Sequence, residues 1–254
     1  MVLTDFDAAV FADMRKGVKK LLPRKPDSRP AFLLPHYCLP QIFITPLTHS
    51  HILLKTAVVW GFLGMFRFSV YQKLGLNNLV IVGRNGEEIR PRSGSFRELS
   101  HYFFQRGAKG FYFRFSDKYH PVAYAFFCRL DLVSHFWSEF CPVRALLMIA
   151  RNGFLNETIF PEKTVSSQYL RDYMRFVGGT RHFASASQFT PHSLRIGGHT
   201  FFAVKNMDPD FLHFLGRRAI SRACQLYYRA NAYDNIVRLK LFFRKLSRSH
   251  VLSS

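Results

Sequence analysis

Residues 190–230 read TPHSLRIGGHTFFAVKNMDPDFLHFLGRRAISRACQLYYRA, and the reading of the whole chain turns on them. Pro191 suits the first turn of a helix, where its missing N–H has no partner to lose. His192 and Arg195 form an H-x-x-R arrangement; three apart on a helix, they share a face. Asp208-Pro209 reads as the cap and first turn of a second short helix, which Gly216 ends. Ser221 can cap a third, with Tyr227 about two turns in. An imidazole, guanidinium groups and a phenol are thus spaced along three short helices joined by tight turns.

The composition narrows the class. At 254 residues and 48% hydrophobic, the chain can bury a sizeable core. Thirty-six Lys and Arg stand against sixteen Asp and Glu, a formal charge of +20. Such a surplus calls for a polyanionic partner; a highly soluble basic protein or a ribosomal-type RNA binder is the blander reading. Cys38, Cys128, Cys141 and Cys224 form no C-x-x-C pair, so neither a zinc site nor a disulfide framework is expected and a reducing compartment fits. The start of the chain does not read as a signal peptide. The longest apolar run, Ala57 to Phe66, is far short of the roughly 20 residues that span a bilayer. The expectation is a soluble intracellular protein.

Outward from the central stretch, local elements follow from pattern. Residues 3–20 have helical apolar spacing, and residues 21–40 hold five prolines, an extended basic linker. Thr48 to Leu74 reads as one long helix with a wide apolar stripe, and carries Arg67 in GFLGMFRFS. Alone, Arg67 would be a snorkelling residue at a helix end. Leu79–Val82 and Glu88–Arg90 suggest strands around an Asn85-Gly86 turn. Phe111–Phe115 and Val122–Phe127 suggest two more, with Lys118 in the turn between them. Cys141-Pro142 begins a helix, and residues 164–177 form another, with Arg171 and Arg175 on one side as phosphate contacts. Residues 236–246 form an amphipathic basic helix, which on its own would pack against its own domain.

H-x-x-R, then Leu215-Gly216-Arg217-Arg218, then Tyr227-Tyr228-Arg229, in this order and spacing, resembles the catalytic signature of tyrosine recombinases. The wording HSLRIGGHT, LGRR and YYR is closest to the DIRS, Ngaro and Crypton retroelement branch. The match is specific over residues 190–230 and extends more loosely over about 50–230. It implies a mainly α fold with a small antiparallel β-sheet of three strands on one edge. Residues 1–30 would then be the remnant of an N-terminal DNA-clasping domain with a basic linker, residues 31–235 the catalytic domain, and residues 236–254 a C-terminal helix and tail of the kind donated to a neighbouring protomer. The implied catalytic residues are Arg67, Lys118 (with Lys109 as competitor), His192, Arg195, Arg218 and Tyr227; Arg171, Arg175, Arg217 and Arg229 would contact DNA. The acidic residue often found three positions after the first arginine is Val70 here, and Arg218 stands where His or Trp is more usual.

The chemistry implied is metal-free and nucleotide-free strand transesterification on double-stranded DNA, by a homo-oligomer (a tetramer on DNA) in the nucleus, with no cofactor and no membrane. Tyr227 would attack phosphorus and keep the bond energy as a 3′-phosphotyrosyl ester. Arg67 and Arg195 would clamp the non-bridging oxygens. His192 would donate to the phosphate or move a proton, and Lys118 would protonate the leaving 5′ oxygen. Two other readings remain: a catalytically inactive, domesticated recombinase fold acting as a DNA-binding module, and a type IB topoisomerase.

Overall fold

The computed structural model describes residues 48–117, 120–138, 140–153, 155–179, 188–217 and 231–251. They form a mainly helical fold with one small antiparallel sheet. Helix α1 (His49–Leu63) runs through its middle. Its residues Ile52, Leu53, Leu54, Ala57, Val58, Val59, Trp60, Phe62 and Leu63 are all buried, as a helix enclosed on every side requires. Trp60 packs on Phe111, Phe113, Phe127 and Phe160 with ring centroids 5.3–5.7 Å away, and its indole N–H donates to Pro142 O at 3.3 Å.

The continuous helix expected over 48–74 breaks at Gly64. Met65 adopts a left-handed φ of 48°. Phe66 N–H donates to Gly61 O at 3.0 Å and Met65 N–H to Phe62 O at 3.3 Å, a Schellman ending with methionine where glycine is usual. The chain then enters the short helix α2 (Phe68–Tyr71).

The sheet has four strands in the order β2-β1-β3-β4: β1 (Leu79–Val82), β2 (Glu88–Ile89), β3 (Gly110–Asp117) and β4 (His120–Cys128). The four strands are those the sequence pattern suggests, one more than the resemblance implies; the Asn85-Gly86 turn, with Gly86 at φ 93°, closes a two-residue β2 onto β1. β3 and β4 pair from Gly110↔Cys128 to Asp117↔His120. Alternation places Phe111, Phe113 and Phe127 toward α1 and Tyr112 and Phe126 toward the opposite face.

Between β2 and β3 lie helix α3 (Phe96–Ser100) and a π turn, His101–Gln105. Helices α4 (His135–Ser138), α5 (Pro142–Arg151) and α6 (Ser167–Gly179) follow, α5 with its proline at the first turn as expected and α6 three residues later than the apolar pattern suggests. Helix α7 (Pro191–Val204) crosses α1, and α8 (Pro209–Leu215) is capped by Asp208, whose carboxylate accepts from Phe211 N–H at 2.7 Å. Phe214 of α8 reaches Phe126 on the far face of the sheet at 5.7 Å.

Helix α9 (Ala232–Val251) begins four residues before the amphipathic pattern suggests. It folds back on its own domain: Ile236, Leu239, Phe243 and Leu246 are buried, and Phe243 meets Trp137 at 4.7 Å and Phe202 at 6.0 Å. The apolar face that helix donation would offer a neighbour is here covered by the helix's own domain.

Candidate active site

The HSLRIGG segment can dock closely because it carries glycine where α7 meets α1. A Cβ on Gly198 would stand 2.2 Å from the Phe62 carbonyl oxygen, and one on Gly61 would stand 3.1 Å from Leu194 Cδ1. Thr190 and Ser193 fix the start of α7: Ser193 N–H donates to Thr190 O at 2.8 Å and Thr190 N–H to Ser193 Oγ at 3.1 Å. His192 is half-buried in the first turn, and Arg195, one turn on, is 8% exposed.

Arg195 joins three parts of the chain. Its Nη1 donates to Met65 O at 2.7 Å and its Nη2 to Gly216 O at 2.6 Å. Met65 lies two residues before Arg67, and Gly216 two before Arg218. The bonds to Met65 and Gly216 thus set Arg195 beside the entry to Arg67, which is half-buried at the start of α2. The H-x-x-R helix, the backbone two residues before Arg67 and the end of α8 therefore meet at one corner of the fold.

Beneath them lies a guanidinium that the sequence expectation assigned to DNA. Arg217 is 1% exposed and, like Met65, left-handed, with φ 49°. Its Nη2 donates to Gly64 O at 2.9 Å and Met65 O at 2.8 Å, and its Nη1 to Leu215 O at 3.1 Å. The group sits 5.4 Å from the ring centroid of Phe66 and 5.6 Å from that of Phe115. Arg217 is therefore an internal fastener of the corner rather than a surface phosphate contact. Two strained non-glycine helix ends meet here, and the guanidiniums satisfy the carbonyls those ends release.

Phe115, near the end of β3, packs beside Arg217. Lys109 is at the other end of β3, its backbone N–H donating to Val82 O at 2.8 Å. Lys118, Arg218, Tyr227 and Arg229 lie outside the described residues. Lys73, which the motif does not single out, donates from Nζ to Ser116 O at 2.9 Å and so also reaches this strand end. Tyr71 is the tyrosine packed against the corner: its hydroxyl donates to Ala57 O at 2.7 Å, and burial pushes its phenol far above the usual range. Its buried hydroxyl ties α2 to α1 through Ala57 O.

Arg171 and Arg175 are half-buried on α6. Arg171 Nη1 donates to Gln168 Oε1 at 3.3 Å, and Arg175 Nη1 stands 3.8 Å from Asp172 Oδ1. Val70, at the place of the usual acid, is buried at 1% and packs in the core. Compared with protein-family models, curated proteins and solved structures, the chain finds no match.

Proposed function

We propose that this protein is a tyrosine-type DNA recombinase or integrase domain of a mobile element, cleaving and rejoining duplex DNA through a 3′-phosphotyrosyl intermediate. The observation that supports this reading is the pair of bonds from Arg195 to Met65 O and Gly216 O, which ties the H-x-x-R helix to backbone two residues before Arg67 and to the end of α8. Arg195 and Met65 are 130 residues apart in sequence, and the resemblance requires their neighbourhoods to share one phosphate. In this reading Arg67, His192 and Arg195 hold the phosphate and its developing charge, and Tyr227 attacks.

One observation favours the domesticated, inactive binding module. Arg195 already donates from both terminal nitrogens to backbone carbonyls, which leaves fewer N–H groups to fork onto phosphate. Incubation with nicked suicide duplexes, followed by denaturing gels, separates the two. A covalent adduct that Tyr227→Phe abolishes and Tyr228→Phe retains is the expected result. Binding that saturates with no adduct at either tyrosine would make the protein a binding module.

A further inference from the structure

The far end of the sheet gathers cations that, among the described residues, have no carboxylate within ion-pair distance. Lys109 is held between strand ends: its N–H donates to Val82 O at 2.8 Å, and its carbonyl accepts from Arg129 N–H at 3.2 Å. Helix α9 crosses at this level, since a Cβ on the adjacent Gly110 would lie 3.1 Å from Ile236 Cγ2. Lys240 follows Ile236 by one turn and Arg244 follows by another, both at the rim of the helix's buried face. Lys109 and Lys240 are half-buried and Arg244 is exposed. Burial holds the Lys240 ammonium below its usual range, and Arg244 and Lys109 push it the same way.

Asp131, close by in the chain, is already committed. Asp131 accepts from Arg129 Nη2 at 2.6 Å, from Arg129 Nε at 3.3 Å and from Cys141 Sγ at 3.2 Å. Among the described residues, no carboxylate lies within ion-pair distance of Lys109, Lys240 or Arg244. A half-buried ammonium repelled by two neighbouring cations costs stability in the free protein. A row of phosphates laid across the three would remove that cost.

We propose that this end of the sheet is a second duplex-DNA surface, engaging the phosphate backbone apart from the Arg195 corner. The five residue steps from Gly110 to Phe115 span about 17 Å at roughly 3.3 Å each, and Phe115 lies at the corner. The separation exceeds the screening length of about 8–10 Å at ordinary salt, so the two surfaces act on DNA as distinct contacts. The proposal rests on the DNA-binding part of the reading above and not on phosphotyrosine chemistry.

The test is the double variant Lys240→Gln/Arg244→Gln in the full chain. Loss of two phosphate contacts should flatten the log–log salt dependence of duplex binding by about 1.8. Between 50 and 200 mM salt that is roughly a 12-fold smaller loss of affinity. The variant's melting midpoint at low salt should equal or exceed the parent's, because repulsion is relieved, and adduct yield at saturating DNA should be unchanged. An unchanged salt slope overturns the proposal, and a lowered midpoint overturns it by making the cluster structural. Loss of binding to phosphatidylserine vesicles with duplex binding intact overturns it in favour of a membrane surface. A flattened slope in a protein that forms no adduct sinks the recombinase reading and sustains this one; a parent protein with no salt-sensitive duplex binding sinks both.

Discussion

Replacing Gly198 with alanine tests how tightly chemistry depends on the crossing of α7 and α1. The added Cβ would stand 2.2 Å from Phe62 O and 3.0 Å from Met65 Cγ, where ordinary contact begins near 3.4 Å. The first neighbour is backbone and cannot swing aside, so the helices must part by about 1 Å. Overpacking of this kind costs typically 1–3 kcal/mol. At about 2 kcal/mol, a chain of this size should melt roughly 4–8 °C lower. The same movement shifts Arg195 relative to the Met65 carbonyl it grips at 2.7 Å. A misplacement of about 1 Å can cost 100-fold in rate. Thermal unfolding followed by circular dichroism, and adduct formation timed at saturating DNA, should both fall while duplex affinity holds. Adduct formation at the parental rate, in a variant whose midpoint has dropped as expected, would refute the link between this crossing and the site.

Two further outcomes follow from other parts of the fold. Removing α9 should undermine the monomer itself. Burial of Ile236, Leu239, Phe243 and Leu246, at about 1.5–3 kcal/mol each, is on the order of 6–12 kcal/mol, comparable to a whole domain's stability of roughly 5–15 kcal/mol; a soluble, cooperatively melting protein lacking residues 232–254 would contradict this. Acid should loosen the turn before α3. Burial alone would raise the Glu98 pKa, but the carboxylate accepts from the N–H groups of Arg92, Ser93 and Gly94 and from the Ser93 hydroxyl, which together hold it below the usual range. Its contribution is present above the unfolded-state value and is lost as pH falls through the lowered folded value. Amide-exchange protection at residues 92–94 should therefore collapse in acid, and Glu98→Gln should remove that pH dependence; protection that stays constant across the acid range would count against it.

Where the controlling interaction was local, the sequence could be read directly. Pro191 opening a helix, Asp208 capping the next and Asn85-Gly86 turning a hairpin each depend on neighbours within a few residues. The break after Leu63 was not legible, because apolar spacing runs on unbroken through Phe66. What stops the helix is a left-handed methionine whose carbonyl is gripped by Arg195 and Arg217, partners 130 and 152 residues away. Arg217 and Arg218 look alike in the sequence. Arg217 is buried with a left-handed backbone, and no periodicity marks that. The amphipathic face of the last helix was plain, but pattern alone could not say which chain it covers.

The grip on Met65 O also orders events during synthesis and folding. Closing a loop of 130 residues has an entropic cost of about 4 kcal/mol on a logarithmic scale, before any contact rewards it. A nascent chain that has emerged only as far as α6 carries α1 and its apolar surroundings but neither guanidinium. In such a chain the Gly64 and Met65 carbonyls lack these donors, and only the local bonds to Gly61 O and Phe62 O favour the left-handed turn into Arg67. The bend that positions Arg67 is thus fixed only when the H-x-x-R helix and the residues after α8 have docked. Site and fold are completed in the same step, so a chain ending before residue 217 should have neither a fixed bend before Arg67 nor a stable fold.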